Sequence, residues 1–349
     1  MMNIALITGS GGLVGSEAGL FLHDKNFKII GIDNDSRQYF FGKAASTKKR
    51  TSFLKKNLKN FLHKNIDIRN FKNLEKIFKK NTNKIKLIIH AAAQPSHDWA
   101  IKEPFTDFGI NALGTLNLLE LTRMYSPNAV FIYVSTNKVY GDTPNRLPLN
   151  KKSKRYEIKK NHKFFNGINE SMSIDSSTHS LFGVSKASAD LLVQEYGRNL
   201  GLKTGIFRLG CITGPAHAGA ELHGFLSYLV KANLNKIKYT IFGYNGRQVR
   251  DNIHSFDLVN CFWSFFKKPK KGEIYNIGGG RANSCSILEA IAIIEKITKI
   301  KMKYKISANN RIGDHIWYIT SNSKFKTDYP NWKIKHNLIS IIKQIIKSN

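Results

Sequence analysis

Ile4-Ala5-Leu6-Ile7-Thr8-Gly9-Ser10-Gly11-Gly12-Leu13-Val14-Gly15 decides the fold of this chain. The apolar run reads as a buried strand, the glycine-rich part as a tight turn, and Ser16 to His23 as a helix. Glycines at this spacing let backbone approach a pyrophosphate and aim a helix N-terminus at it. Taken alone, the pattern is also that of an ordinary strand-to-helix turn. Its surroundings decide between the two. Phe27-Lys28-Ile29-Ile30-Gly31-Ile32-Asp33 supplies a second strand ending in an acid, 18 residues after Gly15. A carboxylate there accepts both hydroxyls of an adenosine ribose and repels a 2′-phosphate. The cofactor read from this stretch is NAD rather than NADP.

Outward from that unit, strands and helices alternate through the first 200 residues, which favours a parallel sheet with helical crossovers. Residues 36–62 are polar, basic and hard to place. Asn65-Ile66-Asp67-Ile68-Arg69 reads as a short strand. A helix is predicted over Phe71 to Lys80 and a strand over Ile85 to His90, followed by Ala91, Ala92 and Ala93, where backbone can lie against a flat ligand. A helix follows near Thr106 to Tyr125, with Leu113, Leu116, Leu119 and Leu121 at helical spacing. Ala129 to Val134 is another strand, with Ser135 and Thr136 at the carboxyl end, where ligands bind in doubly wound sheets. Residues 142–180 make a long polar segment, read as a substrate lid or insertion. Phe182 to Asn199 reads as a helix and Lys203 to Leu209 as a strand. The expected architecture is a doubly wound α/β NAD-binding (Rossmann) domain over 1–208, to which about 250–280 return. A smaller substrate-binding lobe is expected over 209–349.

Composition bounds the partners. The 349 residues hold 55 Lys+Arg against 24 Asp+Glu, a net charge of +31, which would suit nucleic acid, anionic membrane surfaces or nucleotide-diphosphate substrates. The basic residues are spread along the whole chain and no nucleic-acid motif accompanies them, so a bias toward solvated lysines is the preferred reading. No apolar run is long enough to span a bilayer, and no signal peptide is read. Cys211, Cys261 and Cys285 suggest neither a disulfide framework nor a zinc site, which fits a reducing cytoplasm.

Several further motifs belong together: Asp67-Ile-Arg69, His90-Ala-Ala-Ala93, Ser135-Thr-Asn-Lys-Val-Tyr-Gly141, Ser185-Lys186 and Arg250-Asp-Asn-Ile-His254. With the opening glycine turn they resemble the extended short-chain dehydrogenase/reductase family, whose members act on nucleotide-linked sugars. The likeness runs from the first strand to about Trp332. Within the family, His90 to Trp99, Ser135 to Lys138, Gly246 to Asp251 and Arg311 to Trp317 resemble the branch of CDP-paratose 2-epimerases.

By motif position, the resemblance implies that Gly9, Gly12, Leu13, Val14 and Gly15 cradle the NAD pyrophosphate. It implies Asp33 on the adenosine ribose, Asp67 and Ile68 at adenine, and Ala91, Ala92, Ala93 and Ser135 along the dinucleotide. Lys186 would hold the nicotinamide ribose, and Thr136 the reacting sugar hydroxyl. Gln94, His97, Cys211, Arg250 and Arg311 would contact substrate, with both arginines at the diphosphate. It also implies a homodimer or higher homo-oligomer and a nucleotide-diphosphate sugar as substrate, with a CDP-sugar favoured.

One position departs from the pattern. Relatives carry tyrosine four residues before the lysine, and here that residue is Phe182. A benzyl ring cannot take or give a proton, so the usual general base is missing. Three readings stay open. Another group does the work, whether Lys186, Tyr140, His97 or His179. The chemistry differs. Or the protein binds NAD and a nucleotide sugar and turns over poorly. The first two are preferred because the rest of the site is present. The expected reaction transiently oxidises a sugar hydroxyl, by resemblance at carbon 2, and re-reduces the keto sugar on its other face. A 4-epimerase, a 4,6-dehydratase, a reductase, a non-catalytic binding protein or a nucleic-acid binder are the alternatives. Asn137-Lys138 after Thr136 argues against the dehydratase, which would want an acid/base pair there.

Overall fold

The computed structural model describes residues 2–217, 224–309 and 313–348. It divides into two compact units: residues 1–139, 181–208 and 259–275 in the first, and 140–180, 209–258 and 276–349 in the second. Residues 140–180, read above as part of the first domain, therefore belong to the second unit, and the returning segment is shorter.

A seven-stranded sheet organises the first unit. Its order is Glu273–Ile277, Lys203–Leu209, Val130–Thr136, Ile85–His90, Ile4–Thr8, Lys28–Ile32 and Phe61–Lys64. The pairing is parallel from Phe61–Lys64 across to Val130–Thr136. Helices cover both faces of such a sheet, so central strands are apolar on both sides; all five residues of Ile4–Thr8 are buried. The order reverses beside Ile4–Thr8, whose neighbours are the second strand on one side and the fourth on the other. Ligands bind at the carboxyl ends of strands at such a reversal. The glycine turn leaves the sheet at that point.

Two local expectations change. Asn65 to Arg69 is not a strand; the edge strand is Phe61–Lys64, and Asp67 Oδ1 accepts the Arg69 amide at 2.9 Å, a carboxylate-capped turn. The helix near 106–125 starts at Pro104 and holds a π-turn over Gly109–Leu113 before running on as Gly114–Tyr125. The extra residue rotates the helix face. Leu113, expected inside, is 52% exposed, while Asn111 is buried. The 36–62 stretch resolves into the helices Ser36–Phe41 and Lys48–Asn57.

In the second unit, Ser284–Ser286, Trp317–Tyr318 and Cys211–Thr213 all pair with Val249–His254. Tyr239–Phe242 pairs in parallel with Tyr304–Ser307. The helices Phe225–Leu234, Ile287–Thr298 and Leu338–Ser348 enclose a core around Leu229, Ile291, Ile294 and Ile341. The expected lid is anchored within this unit. Arg281 reaches the Phe165 carbonyl and both carboxylate oxygens of Glu157, and Ile168 bridges to Thr320.

Candidate active site

The nucleotide end is built from backbone. Gly9 has a φ of +66°, which glycine alone adopts without strain, and its N–H donates to the Ile32 carbonyl at 2.8 Å. A side chain on Gly15 would put its Cβ 2.2 Å from the Gly9 carbonyl oxygen, and one on Gly9 would lie 2.8 Å from the Ala92 amide nitrogen. The turn therefore closes only with glycine at both places. The helix Leu13–His23 begins there with Gly12 as an N-cap that offers no side-chain bond, and it has no acidic residue in its first turn. The amides of Leu13, Val14 and Gly15 at this end suit an anion. This cradle, which a Cβ would fill, fits a dinucleotide pyrophosphate.

Asp33 stands beside the turn. Gly11 N–H donates to its Oδ2 at 2.8 Å; Asp35 N–H and the Thr47 hydroxyl both donate to its Oδ1 at 2.9 Å. A carboxylate offers about four acceptor positions, so Asp33 keeps about one for a ribose, on the Oδ2 side. Two other residues expected at the adenine are committed to the fold. Arg69 clamps Asp67 through Nε at 3.0 Å and Nη2 at 2.7 Å, and although burial opposes ionisation, these bonds hold the carboxyl below its ordinary range. Ile68 is 5% exposed and sits in the core against Gly114.

The reacting end is made of side chains from distant segments. Lys186, on the helix Leu181–Arg198, is 3% exposed; its Nζ donates to the Val134 carbonyl at 2.9 Å and lies 4.3 Å from the centroid of the Tyr133 ring. Burial brings its pKa down to about 7, against the raising effect of Asp190 and Asp107. Thr136 is half-buried at the end of its strand, and its hydroxyl oxygen accepts the Lys138 amide at 3.2 Å, leaving the hydroxyl hydrogen to give. Phe182 is 6% exposed, and its ring meets the His97 ring edge-on, centroids 5.0 Å apart at 73°. His97 opens the short helix His97–Lys102 and is half-buried.

Two buried networks that the sequence reading missed hold this end in place. Asn111 Nδ2, in the π-turn, lies within hydrogen-bond distance of the Gln94 carbonyl, Asp107 Oδ1 and Ser185 Oγ, each at 3.0 Å, and its two hydrogens are shared among them. The Gln94 side chain, of a residue expected at the substrate, bonds Asp107 and Ser96 and is 1% exposed, so it braces the fold here. In the second network, Arg208 binds Asp190 through Nε at 3.0 Å and Nη2 at 2.9 Å, with Ser135 Oγ donating to the same carboxylate at 2.7 Å. Ser135, expected along the cofactor, thus spends its hydroxyl on Asp190. The one local signal for this pair is an arginine inside an apolar strand, where charged residues are rare unless paired.

His90 links the two ends. The Ala92 amide donates to Thr8 Oγ1 at 3.2 Å, and that hydroxyl gives its hydrogen to His90 Nδ1 at 2.7 Å. On the other side Thr115 donates to the Asn111 carbonyl at 2.6 Å, so His90 Nε2 must donate to Thr115 at 2.9 Å. Burial, with a smaller push from Lys186, lowers the His90 pKa to about 3 and keeps the ring neutral.

In the second unit, Arg250 pairs with Asp314 and donates to the Val249 carbonyl; Asp251, its neighbour in sequence, is fully buried and accepts the Gly280 and Thr320 amides. Cys211 is half-buried and outside any disulfide, on the strand beside Val249–His254. Tyr140 is fully buried and donates to Asn276 at 2.7 Å, and His179 bonds the Ile174 carbonyl and Ser177. Neither is poised to take a substrate proton. Arg311 lies outside the described residues.

A profile of the NAD dependent epimerase/dehydratase family matches residues 5–278. The chain belongs to this family. The CDP-paratose 2-epimerase of Salmonella typhi is 34% identical over 307 residues, 86% of each chain. The UDP-glucuronate 4-epimerase of Thermodesulfobacterium geofontis is 29% identical over 86% of this chain and 83% of its own. Among solved structures, UDP-glucuronic acid 4-epimerase from Bacillus cereus, in complex with UDP-glucuronic acid and NAD, superposes with a TM-score of 0.76 at 22% identity, covering 99% of this chain and 98% of the other. The family is NAD-dependent, and the glycine cradle and Asp33 fit that cofactor. Among the described residues, no helix is long and apolar enough to cross a membrane.

Proposed function

We propose that this protein is an NAD-dependent epimerase of a nucleotide-diphosphate sugar, with a CDP-linked sugar of the CDP-paratose type as its substrate. The observation that carries the reading is Lys186, buried at the carboxyl end of the sheet on the Val134 carbonyl, two residues from Thr136 along the same strand. A lysine brought down to about 7 can hold a ribose hydroxyl and release or accept a proton at neutral pH. Thr136 has a hydroxyl hydrogen to give to the sugar oxygen. NAD, which the Gly9 to Gly15 turn and Asp33 would hold, would supply reversible hydride acceptance at the sugar carbon. The protein's part is to orient the hydroxyl, move its proton and exclude water.

The test is to incubate the full chain with NAD and CDP-paratose, with UDP- and dTDP-sugars in parallel, and to follow the isomers by NMR. Inversion at one sugar carbon with no net change in NAD is expected. No new isomer from any of them would overturn the reading. Phe182 favours a second reading, a protein that binds NAD and nucleotide sugar without turnover; binding of both with no isomer would establish it. A homodimer is also proposed. Leu181, Val184 and Leu191 make an exposed apolar stripe on one helix, and Phe105 is 93% exposed on a helix packed beside it. The same sample, sedimenting at monomer mass, would remove that part.

A further inference from the structure

We propose that Arg50 is a phosphate ligand of the dinucleotide, a side-chain cation added to a cradle otherwise built from backbone amides. It depends on that cradle and not on the sugar substrate, so it goes beyond the epimerase reading and can fail without it. Arg50 belongs to the helix Lys48–Asn57. That helix packs on the glycine turn. A Cβ on Gly11 would lie 2.6 Å from Thr51 Oγ1 and 2.7 Å from Thr47 Cβ, and the Thr47 hydroxyl donates to Asp33.

From there Arg50 reaches the opening turn of Leu13–His23. Its Nε donates to Ser16 Oγ at 3.0 Å. Ser16 stands one helical turn after Gly12, and helical side chains lean back toward the N-terminus. Its Oγ is accordingly 3.3 Å from the Leu13 carbonyl. The guanidinium is thus held at the same end of the helix as the amides of Leu13, Val14 and Gly15, with its Cζ 4.9 Å from the centroid of the Phe53 ring. Nε is occupied by Ser16. The two Nη groups make no hydrogen bond or ion pair among the described residues. Arg50 is half-buried, and burial lowers its pKa against the raising effect of Glu17. A cation short of solvation is stabilised by an anion set beside it. Paired guanidinium N–H groups also match phosphate oxygens in a fork that an ammonium does not offer. Lys48 and Lys49 on the same helix are exposed, and Lys48 lies 3.9 Å from Asp35. The positive end of Leu13–His23 and the Arg50 charge act on one anion together.

The experiment measures binding of NAD, ADP and adenosine to full-length wild type and Arg50→Gln by calorimetry. Arg50→Gln is expected to bind NAD and ADP about tenfold to a hundredfold more weakly, since a charge-assisted bond to phosphate is lost, with adenosine affinity within about threefold of wild type. An NAD affinity within about threefold of wild type overturns the proposal. An equal loss for adenosine also overturns it, because Arg50 would then brace the helix that holds Thr47 on Asp33. A second measurement needs no variant. In wild type, ADP is expected to slow modification of Arg50 by phenylglyoxal, read by mass spectrometry, and adenosine at equal occupancy is not. Modification at one rate with and without ADP overturns the proposal whether or not Arg50→Gln folds. None of these readouts uses a sugar, so a wild type that turns over no nucleotide sugar fails the epimerase reading alone.

Discussion

The nucleotide end and the reacting end of the first unit are built on opposite principles. At the glycine turn the working groups are backbone amides and one carboxylate, and the residues responsible lie within about thirty positions of one another. At the reacting end the groups proposed to work are the side chains of Thr136 and Lys186, and their chain neighbours Ser135 and Ser185 are tied into buried networks with Gln94, Asp107, Asn111, Asp190 and Arg208. Backbone recognition depends on side chains being absent. Side-chain recognition depends on buried polar partners being complete, because each unpaired buried group is costly.

The largest expected effect comes from breaking the second principle. Arg208→Met leaves the Asp190 carboxylate buried without its cation, with side-chain exposures of 4% and 1% in the pair. A loss of about 3–5 kcal/mol in unfolding free energy is expected from denaturant titration. A loss under about 1 kcal/mol would mean that Ser135 and Gln194 suffice to hold the carboxylate.

The next effect breaks the first principle. Gly15→Ala drives a methyl to 2.2 Å from the Gly9 carbonyl, a backbone atom that cannot swing aside. NAD affinity, read by fluorescence titration, is expected to fall at least a hundredfold, about 2.7 kcal/mol. Unchanged affinity would show that the turn can open without cost.

A third prediction sharpens the comparison by asking what the buried Lys186 costs. Its folded pKa of about 7 lies below the ordinary value of 10.5. The folded protein therefore binds fewer protons than the unfolded chain between these values, and wild-type stability rises with pH across that window. Below about pH 7 the full penalty is present. Lys186→Met should accordingly be more stable than wild type at pH 6, and the advantage should shrink by at most about 1.4 kcal/mol per pH unit toward pH 10. The same variant should not reduce bound NAD with CDP-paratose. An advantage that stays flat with pH would mean that Lys186 titrates normally in the fold.

Legibility in the sequence follows the same division. The strand, turn, helix and Asp33 could be read because periodicity and glycine spacing are local, and Phe71–Lys80, Ile85–His90 and Lys203–Leu209 fell where apolar periodicity put them. Asn65 to Arg69 misled because its alternating pattern looks like a strand, while the edge pairing had already been used by Phe61–Lys64. Gln94 and Ser135 were read as ligand contacts by motif position, yet their polar atoms are turned to Asp107 and Asp190. Arg250 was read at the diphosphate by motif position, and it is paired with Asp314, 64 residues away.

The amino-acid sequence by itself determined the doubly wound sheet, the choice of a dinucleotide cofactor and the absence of a phenol at Phe182. Each of these is set by residues close together in the chain. Only the tertiary structure decided which acid pairs with Arg208, that Asn111 sits in a π-turn facing Ser185, and that an imidazole lies against the Phe182 ring. Those contacts join residues 18 to 85 positions apart. Chain spacing does not encode which buried polar groups meet; packing does, because a fold is stable only when nearly every such group finds a partner.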